Sequence, residues 1–150
     1  MLDLEAIELI KQLKARYFRG LDVCDIELLK SVFTDDVQID FKSATYEFHL
    51  NGWEEAEAFY RKAFTATRFG MHNGHTPEIT VNGDTATGLW YLNDIFINLE
   101  EKQFLTGSAI YEDTYVKREG QWRMSRTGYT RRLEVIEPLG DRQITCRPIN

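Results

Sequence analysis

From Gly70 onward the sequence is punctuated by tight turns at intervals that fit long strands, and this feature constrains the fold more than any other. Asn82-Gly83-Asp84 is a strong hairpin signal, because these residue types tolerate the positive φ angles that two-residue turns need. Leu99-Glu100-Glu101-Lys102 and Arg118-Glu119-Gly120-Gln121 read as two more turns. They divide the segment into strands near residues 75–82, 85–98, 103–118 and 121–136. Strands joined by connections this short pair antiparallel, since parallel neighbours need a crossover. The expected product is a four-strand antiparallel meander.

Helices come first. Ala6, Leu9, Ile10, Leu13 and Tyr17 recur at helical spacing over residues 3–19, with acids early and bases late as the helix dipole favours. Gly20 is expected to end that helix. Asp25 is a candidate cap for a second, shorter helix carrying Ile26, Leu28, Leu29, Val32 and Phe33. Thr34-Asp35-Asp36 reads as a turn. Val37, Ile39 and Phe41, then Tyr46, Phe48 and Leu50, alternate with polar residues as strands do. Asn51 and Glu54 resemble a capping box for a third helix running to about Thr67, with Ala56, Phe59, Tyr60, Ala63 and Phe64 on one side. The tail from Glu137 to Asn150 is expected to be irregular and free to pack on a neighbouring subunit. This segregated order predicts an α+β domain over residues 1–150, with helices covering one face of a sheet. A strongly curved sheet so covered forms a cone around a ligand cavity.

The totals narrow the function classes. The 150 residues suit one domain, long enough to bury a core unaided. A formal net charge of −6 disfavours nucleic acid and anionic membranes as partners. No stretch approaches the ~18 apolar residues of a membrane helix, and the acid-bearing N-terminus is no signal peptide. The default expectation is a cytoplasmic protein. Cys24 and Cys146 lie in no CxxC or metal spacing and read as incidental thiols. Aromatic residues make up 13% of the chain, enough to line an apolar cavity as well as fill a core.

Few residues carry chemistry. His72 and His75 stand in Met71-His72-Asn73-Gly74-His75-Thr76-Pro77-Glu78. A histidine can both take and give a proton near neutral pH. Their spacing could also suit a metal, but no third ligand, HExxH or Cys/His cluster is apparent, and no metal is expected. Taken alone, both could equally be hydrogen-bonded strand residues. Tyr17 lies on the apolar side of the first helix, where core packing is the ordinary role, and Asp22 lies just past the expected helix end. One of the adjacent pair Arg131–Arg132 must point inward if the last strand alternates regularly, and one of Asn93 and Asp94 likewise. No GxGxxG, P-loop or other cofactor motif is present, so no cofactor is expected.

These positions together resemble the SnoaL-like division of the NTF2-like superfamily. The likeness is to its bacterial bile-acid 7α-dehydratases and, more distantly, its scytalone dehydratases. It is carried by Lys14-Ala15-Arg16-Tyr17-Phe18-Arg19-Gly20-Leu21-Asp22, Met71–Thr80, Thr85–Asp94, and Gly120-Gln121-Trp122 with Thr127-Gly128-Tyr129-Thr130-Arg131. The chain departs from the pattern at Leu89 and Asn93, which the resemblance places on the cavity or its rim. The resemblance implies an NTF2-like cone in which Tyr17, Asp22, His72 and Arg131 are catalytic. His72 would be the base, Asp22 would orient its ring, and Tyr17 would hydrogen-bond a substrate oxygen. Arg131 would anchor a polar or carboxylate end, or hold Asp22. Phe18, His75, Trp90, Tyr91, Asp94 and Tyr129 are the expected substrate-binding residues. The implied activity is a cofactor-independent hydro-lyase removing water from a polycyclic hydroxy-ketone, such as a steroid or bile-acid-like 3-oxo compound. A steroid or polyketide isomerase or cyclase, or a non-catalytic pocket protein for small hydrophobic ligands, are the alternatives. The expected partners are a small apolar multi-ring substrate and further copies of the chain, as a trimer or dimer.

Overall fold

The computed structural model describes residues 1–146. The chain runs α1 (Leu4–Asp22), α2 (Ile26–Val32), β1 (Phe33–Lys42), β2 (Glu47–Asn51), α3 (Gly52–Ala63), β3 (Arg68–Asn82), β4 (Thr85–Asn98), β5 (Gln103–Arg118) and β6 (Gln121–Pro138). The strands form one sheet in the order β2-β1-β6-β5-β4-β3. Every neighbouring pair is antiparallel except β1 with β6. The architecture is therefore α+β, three helices on a six-stranded mixed sheet. The last four strands form the expected meander. No helix is long and apolar enough to cross a membrane.

Asp3 caps α1, its carboxylate accepting from the Ala6 amide at 3.0 Å. Gly20 does not end this helix, which runs on to Asp22. The glycine serves packing instead: a Cβ there would meet Leu29 Cδ2 at 2.8 Å, so its absence lets α2 sit against α1. The two extra residues carry Asp22 towards the sheet. Ile10, Leu13, Tyr17 and Leu21 are all buried along one stripe of α1, each large apolar side chain contributing roughly 1.5–3 kcal/mol. Asp25 caps α2 through the Leu28 amide at 2.9 Å.

Three further expectations are corrected. Thr34-Asp35-Asp36 is not a turn. It lies inside β1, whose pairing with β6 shifts register between Phe33 and Gln38, so the polar residues are absorbed by a bulge. Asn51 makes no side-chain cap on α3; its amide instead donates to Glu55 Oε2 at 2.8 Å, and the helix stops at Ala63 rather than Thr67. The tail is strand as far as Pro138. Leu139 then folds back within the chain, its amide donating to the Lys102 carbonyl at 2.8 Å, and only the stretch after it is irregular; residues 147–150 lie outside the description.

Burial alternates along β4, with Ala86, Gly88, Trp90, Leu92 and Asp94 turned in and Leu89, Tyr91 and Asn93 turned out. Met71 and His75 on β3 and Leu133 on β6 are likewise exposed. The inward side of the sheet and the three helices enclose the core. At the end marked by the start of β3 the core opens into a cavity.

Candidate active site

The cavity has a volume of about 400 Å³, near the lower end for a site that holds a small organic molecule. Its apolar wall includes Phe41, Phe59, Phe64, Leu92, Phe96 and Tyr111. Titratable and hydroxyl-bearing groups line it from several elements, among them Tyr17 on α1, Tyr60 on α3, His72 on β3, Tyr111 on β5 and Arg131 on β6.

His72 reaches it from β3. Its Nδ1 lies 2.7 Å from Asp22 Oδ1. The His72 amide donates to both carboxylate oxygens of Asp22, at 3.1 and 3.2 Å. Backbone and ring of one residue thus grip a single carboxylate at the last turn of α1, which explains why α1 must extend past Gly20. The His72 ring stacks on Phe18 at 6.1 Å and meets Phe64 at 5.6 Å. These contacts leave the side chain only 9% exposed, against 27% for Asp22. With Nδ1 turned to the carboxylate, Nε2 makes no hydrogen bond to any described residue and is open to the cavity. A ring held this way is fixed in orientation.

Tyr17 is fully buried, and its hydroxyl lies 3.3 Å from that of Tyr111 and 3.5 Å from that of Tyr60. All three line the cavity. Ordinary O–H···O bonds are 2.5–3.0 Å, so these hydroxyls hold one another loosely and keep capacity for a ligand oxygen. Burial is the main reason that all three phenols are pushed well above their usual pKa. They are therefore neutral donors at neutral pH.

Arg131 points inward from β6, while Arg132 is exposed. It forms a two-pronged ion pair with Asp94, with Nη2 2.6 Å from Oδ2 and Nη1 on Oδ1. Glu134 Oε2 lies 3.5 Å from its Nε, and the Tyr46 hydroxyl accepts from the same nitrogen at 3.3 Å. The carboxylate reaches the guanidinium across Gly107, where a Cβ would stand 3.0 Å from Nη1 and 3.5 Å from Asp94 Oδ1. Burial acts to discharge the guanidinium, but the hydrogen bonds and charge of Asp94 outweigh it, and Arg131 is held charged. Arg131 does not hold Asp22, and its charge is already met by Asp94.

The remaining expected site residues divide cleanly. Asp94 and Tyr129 line the cavity; Tyr129 also shares a 2.7 Å hydroxyl contact with Tyr46. Phe18 backs the His72 ring without lining the cavity. His75 and Tyr91 stack on each other at 5.7 Å on the outer side of the sheet, because strand parity turns them away from the cavity. Trp90 is inward but lies deeper along the sheet, its indole donating to the Tyr115 hydroxyl at 3.0 Å. Leu89 and Asn93 are likewise outside, so those departures from the family pattern touch neither cavity nor rim. Among the described residues no group of three or more His, Cys, Asp or Glu side chains could hold a metal.

Sequence reading missed a second acid–base pair, deeper than the first. Lys14 Nζ lies 2.8 Å from Asp113 Oδ2, with both side chains fully buried. Asp113 also accepts from the Tyr115 and Thr127 hydroxyls, each at 2.7 Å. The Lys14 ammonium sits 3.7 Å from the Tyr111 ring centroid. Burial pulls its pKa below the ordinary lysine value, opposed by Asp113. A signal existed: Lys14 falls on the Ile10–Leu13–Tyr17 stripe, and Asp113 alternates with the inward Tyr111 and Tyr115.

Solved structures with this fold include a protein from Novosphingobium aromaticivorans DSM 12444 provisionally named scytalone dehydratase. It is 20% identical, with a TM-score of 0.79 over 94% of this chain and 97% of that chain. A hexachlorocyclohexane dehydrochlorinase, LinA-type3, from Novosphingobium barchaimii LL02 is 19% identical, with a TM-score of 0.79 over 96% of this chain and 97% of that one. An NTF2-like protein with a cystatin-like fold from Novosphingobium aromaticivorans is 22% identical, with a TM-score of 0.70 over 86% and 83%. At these identities the likeness is one of fold. The family model for the SnoaL-like domain matches residues 2–128, and the chain belongs to that family.

Proposed function

We propose that this protein is a cofactor-independent lyase that eliminates water from a multi-ring hydroxy-ketone. The observation that carries the reading is the 2.7 Å His72–Asp22 contact at the wall of an apolar cavity. His72 Nε2 removes the proton from the carbon made acidic by the carbonyl, directly or through a conjugated double bond. The electron pair forms the new C=C bond as the hydroxyl departs. The imidazolium, stabilised by Asp22, returns that same proton to the leaving hydroxyl, so one water is released and the enzyme is unchanged. Charge developing on the carbonyl oxygen is met by the Tyr17 hydroxyl, with those of Tyr60 and Tyr111 beside it. Arg131 and Asp94 form a fixed, internally neutral wall.

The dehydratase and dehydrochlorinase names of two fold relatives agree with elimination as the reaction class. The aromatic walls favour a rigid ring system, of which a steroid or bile-acid-like 3-oxo compound is the proposed example. The exposed apolar side chains Met71, Leu89, Tyr91, Leu133 and Val135 on the outer sheet face support assembly with further copies of the chain, which light scattering would measure.

The test is a screen of hydroxylated 3-oxo steroids, followed by absorbance of the new conjugated ketone and by mass spectrometry. The expected result is a gain of absorbance together with loss of one water. Absorbance change without mass change identifies the isomerase alternative, and binding without either identifies a pocket protein.

A further inference from the structure

Three carboxylates line the cavity, those of Asp94, Glu101 and Glu134, and they are not equivalent. Asp94 is held by both prongs of the Arg131 guanidinium. Glu101 lies in the turn between β4 and β5 and is exposed to water. Glu134 is neither held nor exposed. Its side chain is only 14% exposed, and its Oε2 is buried without a hydrogen-bond donor. The one cation within ion-pair distance is Arg131, with Nε at 3.5 Å. That nitrogen donates to the Tyr46 hydroxyl, and the Nη groups are taken by Asp94. No described residue donates a hydrogen bond to either oxygen of Glu134. An ionised carboxylate can accept several hydrogen bonds, and leaving one without any in a confined site is costly.

Its placement depends on an irregularity in the sheet. Arg131 and Glu134 are three residues apart on β6, so regular alternation would set them on opposite faces. The pairing of β5 with β6 shifts register between Ser108 and Ala109, where β6 carries one extra residue, and both side chains line the cavity as a result. Register then sets Glu134 opposite Gly107, Gly107 opposite Asp94, and Asp94 opposite His72. His72 and Glu134 thus stand at the two ends of one row across four strands, roughly 14 Å apart along the sheet at three inter-strand steps. Between them the Arg131–Asp94 pair crosses over Gly107, its charged groups engaged with each other. A multi-ring ligand lying along this row meets His72 at one end and the Glu134 carboxylate at the other. A ligand hydroxyl can donate to that carboxylate without bringing a second cation beside Arg131, which an ammonium group would do.

We infer that Glu134 is a specificity-determining residue: its carboxylate accepts a hydrogen bond from a ligand hydroxyl at the end of the ring system away from His72, so the site selects a hydroxyl over a keto group there. The Oε2 atom rests against Arg131, and Oε1 is the oxygen left for the ligand. Which end of the ligand reacts rests on the dehydratase reading; the hydroxyl site does not.

The test is a binding comparison that requires no turnover. Testosterone and androst-4-ene-3,17-dione differ only in carrying a hydroxyl or a keto group at one end. Their affinities are measured by calorimetry on the full chain, as wild type, Glu134→Gln and Glu134→Ala, with thermal unfolding as a check of folding. A hydrogen bond to a charged acceptor predicts that wild type prefers the alcohol by about tenfold to a hundredfold. Glu134→Gln should lose most of that preference, because its amide can donate to the ketone. Glu134→Ala should lose it while keeping the dione affinity near wild type. Equal affinity of wild type for the two steroids, retention of the preference in Glu134→Ala, or binding of neither probe overturns the proposal. A Glu134-dependent preference in a protein that never eliminates water keeps the hydroxyl site and removes the dehydratase reading. Water loss with no such preference does the reverse.

Discussion

Two acid–base pairs lie a few side chains apart in this molecule, and they are built for opposite ends. Lys14–Asp113 is closed: both side chains are fully buried, and the carboxylate is completed by two hydroxyls. Asp22–His72 is open: the carboxylate is completed by the histidine's own amide, and the ring keeps its second nitrogen for the cavity. A third pair, His49–Asp40, has nearly the same separation as the second, 2.6 Å, but stands on the surface with the His49 side chain 57% exposed. Proximity of opposite charges is thus common to all three. What distinguishes the three is burial, and whether a proton-carrying atom is left without a protein partner.

The largest effect is expected at the closed pair. Lys14→Met leaves Asp113 buried with only hydroxyl donors, and denaturant unfolding should register a loss of about 3–5 kcal/mol. Wild-type stability in that variant would mean the pair is not structural.

Next in size is the alkaline response of the phenols beside it. Tyr17, Tyr60 and Tyr111 have folded pKa values raised above the unfolded value of about 10. The stability they contribute is fully present below that value and lost as pH rises through the higher folded ones. Each phenol should subtract up to about 1.4 kcal/mol per pH unit above 10. Ultraviolet titration of tyrosine should therefore coincide with unfolding, and reversible titration of all seven tyrosines in the folded protein would contradict their burial.

At the open pair, Asp22→Asn should leave the unfolding midpoint near wild type but lower turnover by roughly a hundredfold, since the imidazolium loses its counter-charge. The smallest effect is expected at the surface. Asp40 raises the His49 pKa, so whatever the pair contributes is present below about pH 6.5 and lost as pH rises through the raised value. His49→Gln and wild type should have the same melting temperature at pH 8 and the same turnover. A clear difference at pH 8 would mean that exposure is the wrong criterion.

The fold was legible where inward positions are apolar. β4 and β5 were bounded correctly from turns alone, and the inward Val37, Ile39 and Phe41 marked β1. Legibility failed where strands serve the cavity. β3 begins at Arg68, seven residues before the expected start, because its inward positions there are Arg68, Gly70, His72 and Gly74. A strand that lines a cavity carries polar or small residues where a core strand carries branched apolar ones, so the alternation that announces a strand is missing. The site followed the same rule. The family likeness points to Tyr17, Asp22 and His72; His72 and Asp22 meet at 2.7 Å, and Tyr17 lines the cavity that His72 reaches. Lys14 and Glu134 were passed over because a lysine on a helix and a glutamate near the end of a strand read as solvated charge. Asp94 and Arg131 were both singled out, but their mutual neutralisation depends on Gly107 standing between them in the sheet, a relation of register across strands that no local pattern encodes.

The most direct measurement of the central claim is the rate of water loss in His72→Gln relative to wild type on the hydroxylated 3-oxo steroid that the screen identifies, with thermal unfolding recorded in parallel. If His72 carries the proton, elimination falls by a hundredfold or more while the unfolding midpoint stays within a few degrees of wild type. An undiminished rate in a folded His72→Gln protein would contradict the account.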